Sequence, residues 1–479
     1  MRINQLSITK INPIVLAASL AVFSVLFVLG TYFFGIKFSL ALAIPLVAIP
    51  LILAIVFYPK FGILAFLIGA YFVMWVIRIG VPFPLGTLMD AMELLLIIGV
   101  LFHLKRHKDW MLFRDPISYM ILIWIGYNMI QLVNPSAESR LSWLYTIRSV
   151  ALLMLTYFIF VIQINSVSFI RTIFKVWITL AVIAALYAMK QEYIGFFYFE
   201  EKSIDNPLQR SLLFIDGRWR KFSIFSDPVT FSYNMVISTI LCLVLLMNQM
   251  KIYKKIILVA CAGLLILAML FSGTRGAYPL IPLAIALLVI LKFNKKVLIA
   301  SSIGFVFFAV LVVMPTSNPN IKRFQSAFSP SDDASFNLRK INQKRIQPYI
   351  QSHPLGGGLG ATGTWGNRFA PGSYLANFPP DSGYVRVAVE LGTIGMLLFC
   401  TLMFVILKTG IKNYLLIKDP ELKNYCLAMV LVVFALNIGN YPQEALVQFP
   451  NSVLFYLVVA LINVCYLLDR KMQHQSQNI

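Results

Sequence analysis

The segment Ser272-Gly273-Thr274-Arg275-Gly276-Ala277 sets one arginine between two apolar stretches, Ile256–Phe271 and Ala277–Leu291. A guanidinium at mid-bilayer costs roughly 2.5–3.5 kcal/mol, and less near the interface, so a charge there marks a functional position by default. The flanking glycines allow a tight turn and leave room for a bulky ligand. Taken alone, Arg275 also fits a snorkelling interfacial arginine. A second basic set, Arg218-Trp219-Arg220-Lys221, leads through Asp227-Pro228 directly into another apolar stretch. Asp227 reads as a helix N-cap with Pro228 at the first helical position. The cations then stand at a positive helix end, as an anion site or as an interfacial anchor. In a third set, Asp381 opens a helix, either as its N-cap or as a group that accepts a proton. Arg386 and Glu390 follow four residues apart, spaced to pair on one face of an otherwise apolar helix. Arg140 and Arg148 flank the outer end of a further apolar stretch and are expected to join the same cavity. These residue types share one chemistry: fixed guanidiniums that stabilise negative charge on phosphate, with a carboxylate at hand for a proton.

Such cations need elements that hold them at a membrane surface. The chain has 479 residues, 59% of them hydrophobic and 12% charged, with a mean hydropathy of +0.81. That composition excludes a soluble globular protein. Runs long enough to span a bilayer occur at about 13–35, 38–57, 61–79, 88–102, 116–133, 142–163, 172–189, 228–247, 256–272, 277–291, 297–314, 383–407, 424–439 and 450–468. The runs are too long for barrel strands, so the spans are helices. The expected fold is an all-α polytopic membrane protein of about 12–14 transmembrane helices, with a mostly helical extracytoplasmic cap. The first run is too long for a signal segment and lacks a small-residue cleavage site, so it reads as a retained helix. The net charge of +21 has an ordinary source in the basic cytoplasmic loops, and no nucleic acid is implied. The five cysteines show no redox or metal spacing and the four histidines are scattered, so no metal site and no cofactor are expected; the cysteines read as small hydrophobes.

Lysines at 105–108, 251–255, 292–296 and 408–423 mark one set of loops as cytoplasmic, and both termini fall on that side. The chain then divides into N-terminal spans over 1–189, a first outer loop over 190–227, spans over 228–314 with the arginine turn, a large outer loop over 315–382, and C-terminal spans over 383–479. By this assignment the inner side holds 16 Lys and 5 Arg and the outer side 7 Lys and 12 Arg, which accounts for all 40 basic residues. Topology needs charge but is indifferent to its carrier. Arginine outside therefore asks for another reason, and a bidentate fork for phosphate is one. In the large loop, residues 338–350 have apolar positions at 338, 341 and 346, the pattern of an amphipathic surface helix that Pro348 ends or bends. His353-Pro354-Leu355-Gly356-Gly357-Gly358-Leu359-Gly360 follows as a flexible, backbone-exposing loop, weakly like a phosphate cradle. Trp365, Tyr374 and Phe378 offer flat faces for sugar rings or for an interfacial belt.

These pieces, in this order, resemble the O-antigen ligase and Wzy-type polymerase superfamily of bacterial surface-polysaccharide assembly. Arg220–Pro228 resembles that family's Arg-x-x-Gly-x-Phe-x-Asn-Pro element, with Ser223 for Gly and Asp227 for Asn. Ser272–Ala277 resembles its Ser-Gly-Ser-Arg-Gly-Ala turn. Arg339 through Gly360 resembles the amphipathic stretch ending in His-Pro-Leu-x-Gly-x-Gly, and Asp381–Gly395 resembles the His-Asn-x-Tyr-Leu…Glu-x-Gly-x-x-Gly helix start. The resemblance covers about 220–395. It departs at Asp381, where ligases of the family carry the histidine regarded as their general base, a departure that leaves polymerase open.

The resemblance implies a metal- and nucleotide-independent glycosyltransferase of the bacterial cytoplasmic (inner) membrane. It would polymerise undecaprenyl-pyrophosphate-linked oligosaccharide on the outer face, with inversion. A ligase passing the glycan to lipid A–core or another surface acceptor is the alternative; a flippase of the same lipid-linked glycan is a second. Arg220 and Arg275 are expected to stabilise the leaving diphosphate and Asp381 to deprotonate the attacking hydroxyl. Arg218, Arg386, Arg140, Arg148, Arg339, Tyr384 and His353 are expected to bind substrate. Membrane lipids, a glycan acceptor, a flippase and a chain-length regulator are the expected partners.

Overall fold

The computed structural model describes residues 22–477 except 23, 26, 34, 82, 108–113, 216 and 329–333; the expected first span, 13–35, lies largely outside them. After helical residues between 22 and 33, the described chain runs through α1 (Ile36–Phe57), α2 (Pro59–Ile79), α3 (Leu85–His107), α4 (Pro116–Ile130), α5 (Arg140–Gln163) and α6 (Val167–Tyr193). The first loop folds into α7 (Tyr198–Ile204), α8 (Pro207–Leu213) and a hairpin of β1 (Phe214–Ile215) and β2 (Arg218–Trp219). Then come α9 (Pro228–Leu245), α10 (Ile252–Phe271), α11 (Leu280–Leu291) and α12 (Lys295–Val313). The second loop carries α13 (Pro319–Ser326), α14 (Ala334–Ser352) and α15 (Gly363–Phe369), and the chain closes with α16 (Gly383–Leu416), α17 (Pro420–Gly439) and α18 (Asn451–Gln477). Among the described residues eleven helices are long and apolar enough to cross a membrane, with Ala48–Phe57 and Arg275–Leu291 as shorter apolar helices. The protein is an all-α polytopic membrane protein, as its hydropathy predicts.

The middle of the bundle is α9, α17 and α18, whose most apolar windows are 89%, 78% and 83% buried, whereas α12 buries none of its window. In lipid, apolar surface alone gives helices little reason to associate, so buried polar groups and close packing take over. Asn234 of α9 accepts from Tyr71 at 3.2 Å and donates to Asn451 of α18 at 3.1 Å. Asn451 donates to the Thr230 carbonyl at 2.8 Å, and Trp177 donates to Ser238 at 2.9 Å. Cys242, Cys426 and Cys465 are unpaired and buried, packed as small hydrophobes.

Two local features set up the site. Asp227 caps α9, accepting from the Val229 and Thr230 amides at 2.8 and 2.9 Å, with Pro228 at the first helical position, as expected. Helix α16 is broken at Gly392, which takes φ 70° and ψ −171°. Its N-cap is Ser382, which accepts from the Val385 amide. The capping alternative for Asp381 is thereby removed.

Candidate functional site

The arginine turn is assembled by its own side chains. Ser272 donates to the Met269 carbonyl at 2.6 Å and accepts from the Thr274 amide at 3.1 Å, which closes the end of α10. Gly273 has φ 60°, and a Cβ there would lie 2.8 Å from Nε of Arg323 and 3.4 Å from Cγ of Arg220. Glycine is required because two arginines converge on that peptide. Arg220 donates through Nε to the Ser272 carbonyl at 3.0 Å, through Nη2 to Thr274 Oγ1 at 3.0 Å and through Nη1 to the Leu212 carbonyl at 3.3 Å. Arg323 of α13 donates through Nε to the Gly273 carbonyl at 2.8 Å. Arg323, Arg220 and Arg275 all act on Tyr278 electrostatically, so the three guanidiniums share one environment. Burial, then the repulsion of Arg323, pushes the Arg220 guanidinium down to about 10, with Asp227 opposing and Arg275 adding. Among the described residues the three hydrogen-bond acceptors of Arg220 are neutral oxygens.

Next to this turn stands a second wall. A Cβ on Gly276 would lie 3.1 Å from Pro442 and 3.3 Å from the Tyr233 hydroxyl, and that hydroxyl donates to the Gly439 carbonyl at 2.9 Å. The loop after α17 therefore packs on the arginine turn. It also reaches α16, since the Gly383 amide donates to the Asn440 carbonyl at 2.9 Å. Arg386 is held between two carboxylates, Glu390 at 3.1 Å and Glu444 of that loop at 2.9 Å. The expected Arg386–Glu390 pair is present; Glu444 was not anticipated. Burial raises the Asp381 carboxyl above its ordinary value, while the Arg339 charge and the Asn342 side chain pull it down. Glu444 is raised too, first by burial, with Arg386 opposing and Glu390 and Asp381 adding repulsion. Arg339 acts on both Asp381 and Tyr233, and so links the two walls.

Several expectations change. The glycine stretch is neither open nor a cradle: Gly356 through Leu359 and Gly360 are buried, and its amides are already engaged. Gly357 donates to the Val389 carbonyl and Gly358 to that of Glu390, both at 2.9 Å. Gly360 and Thr362 donate to the Glu390 carboxylate at 3.0 and 3.3 Å, and the Thr362 hydroxyl joins them. These donors satisfy backbone carbonyls at the break in α16 and fix Glu390. His353 stacks on Tyr349 at 4.1 Å and meets the Tyr349 carbonyl through Nδ1 at 3.1 Å, at the end of α14. That helix runs through Pro348 to Ser352 instead of ending there.

Arg148 is engaged by Asp90 of α3 at 3.0 Å and Arg218 lies 3.9 Å from Glu192; Arg140, at the first turn of α5, is exposed. Tyr384 bonds Asn437 of α17. Phe378 is buried beside Ile346 and Leu375, so it offers no flat face. Sequence reasoning missed Arg323, Glu444 and Arg78. Arg78 donates to the Phe225 and Ser226 carbonyls at 2.9 and 3.1 Å and covers the Phe222 ring at 4.0 Å, bracing the strand-to-helix turn that carries Arg220. Ser223 in that turn adopts φ 54°, the left-handed conformation that suits the glycine it replaces in the resembled motif. No group of three or more His, Cys, Asp or Glu that could hold a metal occurs among the described residues.

Fold and site define a multi-pass helical membrane protein with a cluster of arginines where its two long loops meet. Residues 260–400 match the family model described as O-Antigen ligase. An O-antigen polymerase of Salmonella muenchen is 29% identical over 194 residues, 38% of this chain and 45% of that protein. The chain thus spans less than half the length of this curated relative. Together the two matches support the O-antigen ligase and Wzy-type polymerase superfamily for this chain.

Proposed function

We propose that the protein is a glycosyltransferase that joins undecaprenyl-pyrophosphate-linked oligosaccharide units at the outer face of the bacterial cytoplasmic membrane. The observation that carries this reading is Arg220: a half-buried guanidinium whose hydrogen-bond partners among the described residues are all neutral, with two more arginines beside it. A guanidinium has five N–H donors, so its three protein bonds leave donors for an anion. In the reaction the acceptor hydroxyl oxygen attacks the anomeric carbon as the bond to the diphosphate oxygen breaks, which inverts that carbon. The diphosphate leaves with the bonding pair, and Arg220, Arg275 and Arg323 stabilise its charge. Asp381 takes the hydroxyl proton, and its raised carboxyl is the better suited to do so.

Polymerisation is preferred because the relative aligned here is an O-antigen polymerase. A ligase is the second reading, favoured by the description of the family model. Its acceptor would be lipid A–core. Glycan analysis of a deletion strain separates them: single repeat units capping the acceptor mean polymerase, long chains left on undecaprenyl mean ligase. A flippase and a chain-length regulator are the companions either activity would require. The decisive assay uses purified Arg275→Lys and Arg275→Ala with lipid-linked units. Loss of about 10²–10³ in rate is expected from Arg275→Ala, and little recovery from lysine, which lacks the fork. Near wild-type elongation by Arg275→Ala would end the charge argument.

A further inference from the structure

The short loop after α17 touches both walls of the charged site, and one side chain governs its shape. Asn440 follows directly on Gly439, the last residue of α17, and is 3% exposed. We propose that Asn440 is a positioning residue: it sets the spacing between the arginine turn and the start of α16, where Asp381 stands two residues before Gly383. What the two walls do rests on the glycosyltransferase reading; how they are joined rests on packing and hydrogen bonds.

Asn440 is bonded on two sides. Its carbonyl accepts from the Gly383 amide at 2.9 Å, one of the donors that a helix start leaves without a partner of its own. Its side-chain oxygen accepts from the Ala445 amide at 3.2 Å, an amide shared with the Gln443 carbonyl at 3.1 Å. A carboxamide that reaches a backbone amide a few residues on closes the intervening chain into a loop. Pro442 and Glu444 lie inside that loop. Pro442 packs on the arginine turn, where a Cβ on Gly276 would come within 3.1 Å of it. Glu444 pairs with Arg386 at 2.9 Å. One residue thus shapes a neutral contact to one wall and a charged contact to the other.

The carboxamide also fills the space over Gly383. A Cβ there would lie 2.1 Å from Oδ1 of Asn440 and 2.5 Å from its Cγ, so the glycine and the asparagine require each other. From behind, Tyr233 of α9 donates to the Gly439 carbonyl at 2.9 Å, and a Cβ on Gly439 would meet the Tyr233 ring at 2.7 Å. The buried middle of the bundle therefore carries the loop, and Asn440 passes that rigidity to both walls. Its neutrality matters as well. An aspartate would accept the same bond but add a charge to the loop of Glu444, which Glu390 and Asp381 already repel. Spacing of this kind acts on rate, since a misplacement of about 1 Å can cost about 10²-fold.

The test uses the full chain in lipid nanodiscs, supplied with lipid-linked units. Asn440→Ala removes the carboxamide and is expected to lower kcat about tenfold with KM unchanged. Binding of undecaprenyl pyrophosphate and the melting temperature should stay near wild type. Gly383→Ala presses on the same contact from the other side and should lose at least as much. In the double variant the added methyl takes the vacated space, so Gly383→Ala should cost nothing further. Hydrogen exchange of the 440–446 and 383–386 amides should quicken about tenfold in Asn440→Ala. Normal kcat in Asn440→Ala, or additive losses in the double variant, overturns the proposal. So does a fall in melting temperature or in undecaprenyl pyrophosphate binding that accounts for the lost rate. If the wild type makes no chains while exchange quickens as expected, the glycosyltransferase reading falls and the tie between the walls stands.

Discussion

Arg220 and Arg386 are two half-buried arginines at the loop-bearing end of the same bundle, and their surroundings are opposite. Arg386 sits between Glu390 and Glu444, and Glu390 is itself held by amides of the glycine stretch. Among the described residues Arg220 hydrogen-bonds two carbonyls and a hydroxyl, with Arg323 and Arg275 acting on it as like charges and Asp227 as the opposing one. A neutralised guanidinium is an architectural tie; one bonded only to neutral oxygens, among other cations, is an incomplete ion pair that an anion completes. Paired buried charges give little net stability yet are costly to break, and unpaired ones persist where function uses them. The difference separates the part of this site that binds from the part that braces.

That contrast can be broken experimentally. The largest effect is expected at Arg386: Arg386→Ala leaves the buried Glu390 and the half-buried Glu444 carboxylates without their shared cation and should cost roughly 3–5 kcal/mol of stability, seen as a lowered melting temperature in detergent. Glu444→Gln in that background should restore part of it. Arg220→Ala should instead lower the elongation rate by about 10²–10³, with a smaller shift in melting. If Arg220→Ala proves the less stable of the two, the distinction is wrong. The pH profile is a finer probe. The base form of Asp381 is lost as pH falls through its carboxyl value, which burial raises. The acid limb should therefore lie above the free-aspartate value near 3.9, with about tenfold less activity one unit below its midpoint. A limb unchanged in the residual activity of Asp381→Asn assigns it to another group, Glu444 first. Smallest is Thr274→Val, which removes one neutral partner of Arg220; about fivefold lower activity is expected from one hydrogen bond of roughly 1 kcal/mol.

What sequence revealed followed from distance along the chain. Spans, the Asp227 cap and the Arg386–Glu390 pair are local, set by hydropathy and helical spacing, and all were legible. Arg323 and Glu444 were not, because each is brought in from a different loop and neither stands in a spacing pattern. Arg323 carried one faint signal, as one of the arginines on the side where lysine would serve topology equally well. The glycine stretch misled for the same reason. Glycine advertises backbone that others can approach, and only the fold shows that the approaching group is the broken turn of α16. Asp381 read equally as cap or base until Ser382 was found in the capping position.

The interruption at Gly392 has a mechanical meaning. Above it, the carbonyls of Val389 and Glu390 are bonded by amides of the cap, and the Ile394 amide reaches back to Pro354 at 3.4 Å. The outer turns of α16 are therefore spliced to the cap, not merely stacked on the membrane-embedded remainder of the same helix. Tyr384 and Arg386 are therefore placed by the cap on one side and by α17 and its loop on the other.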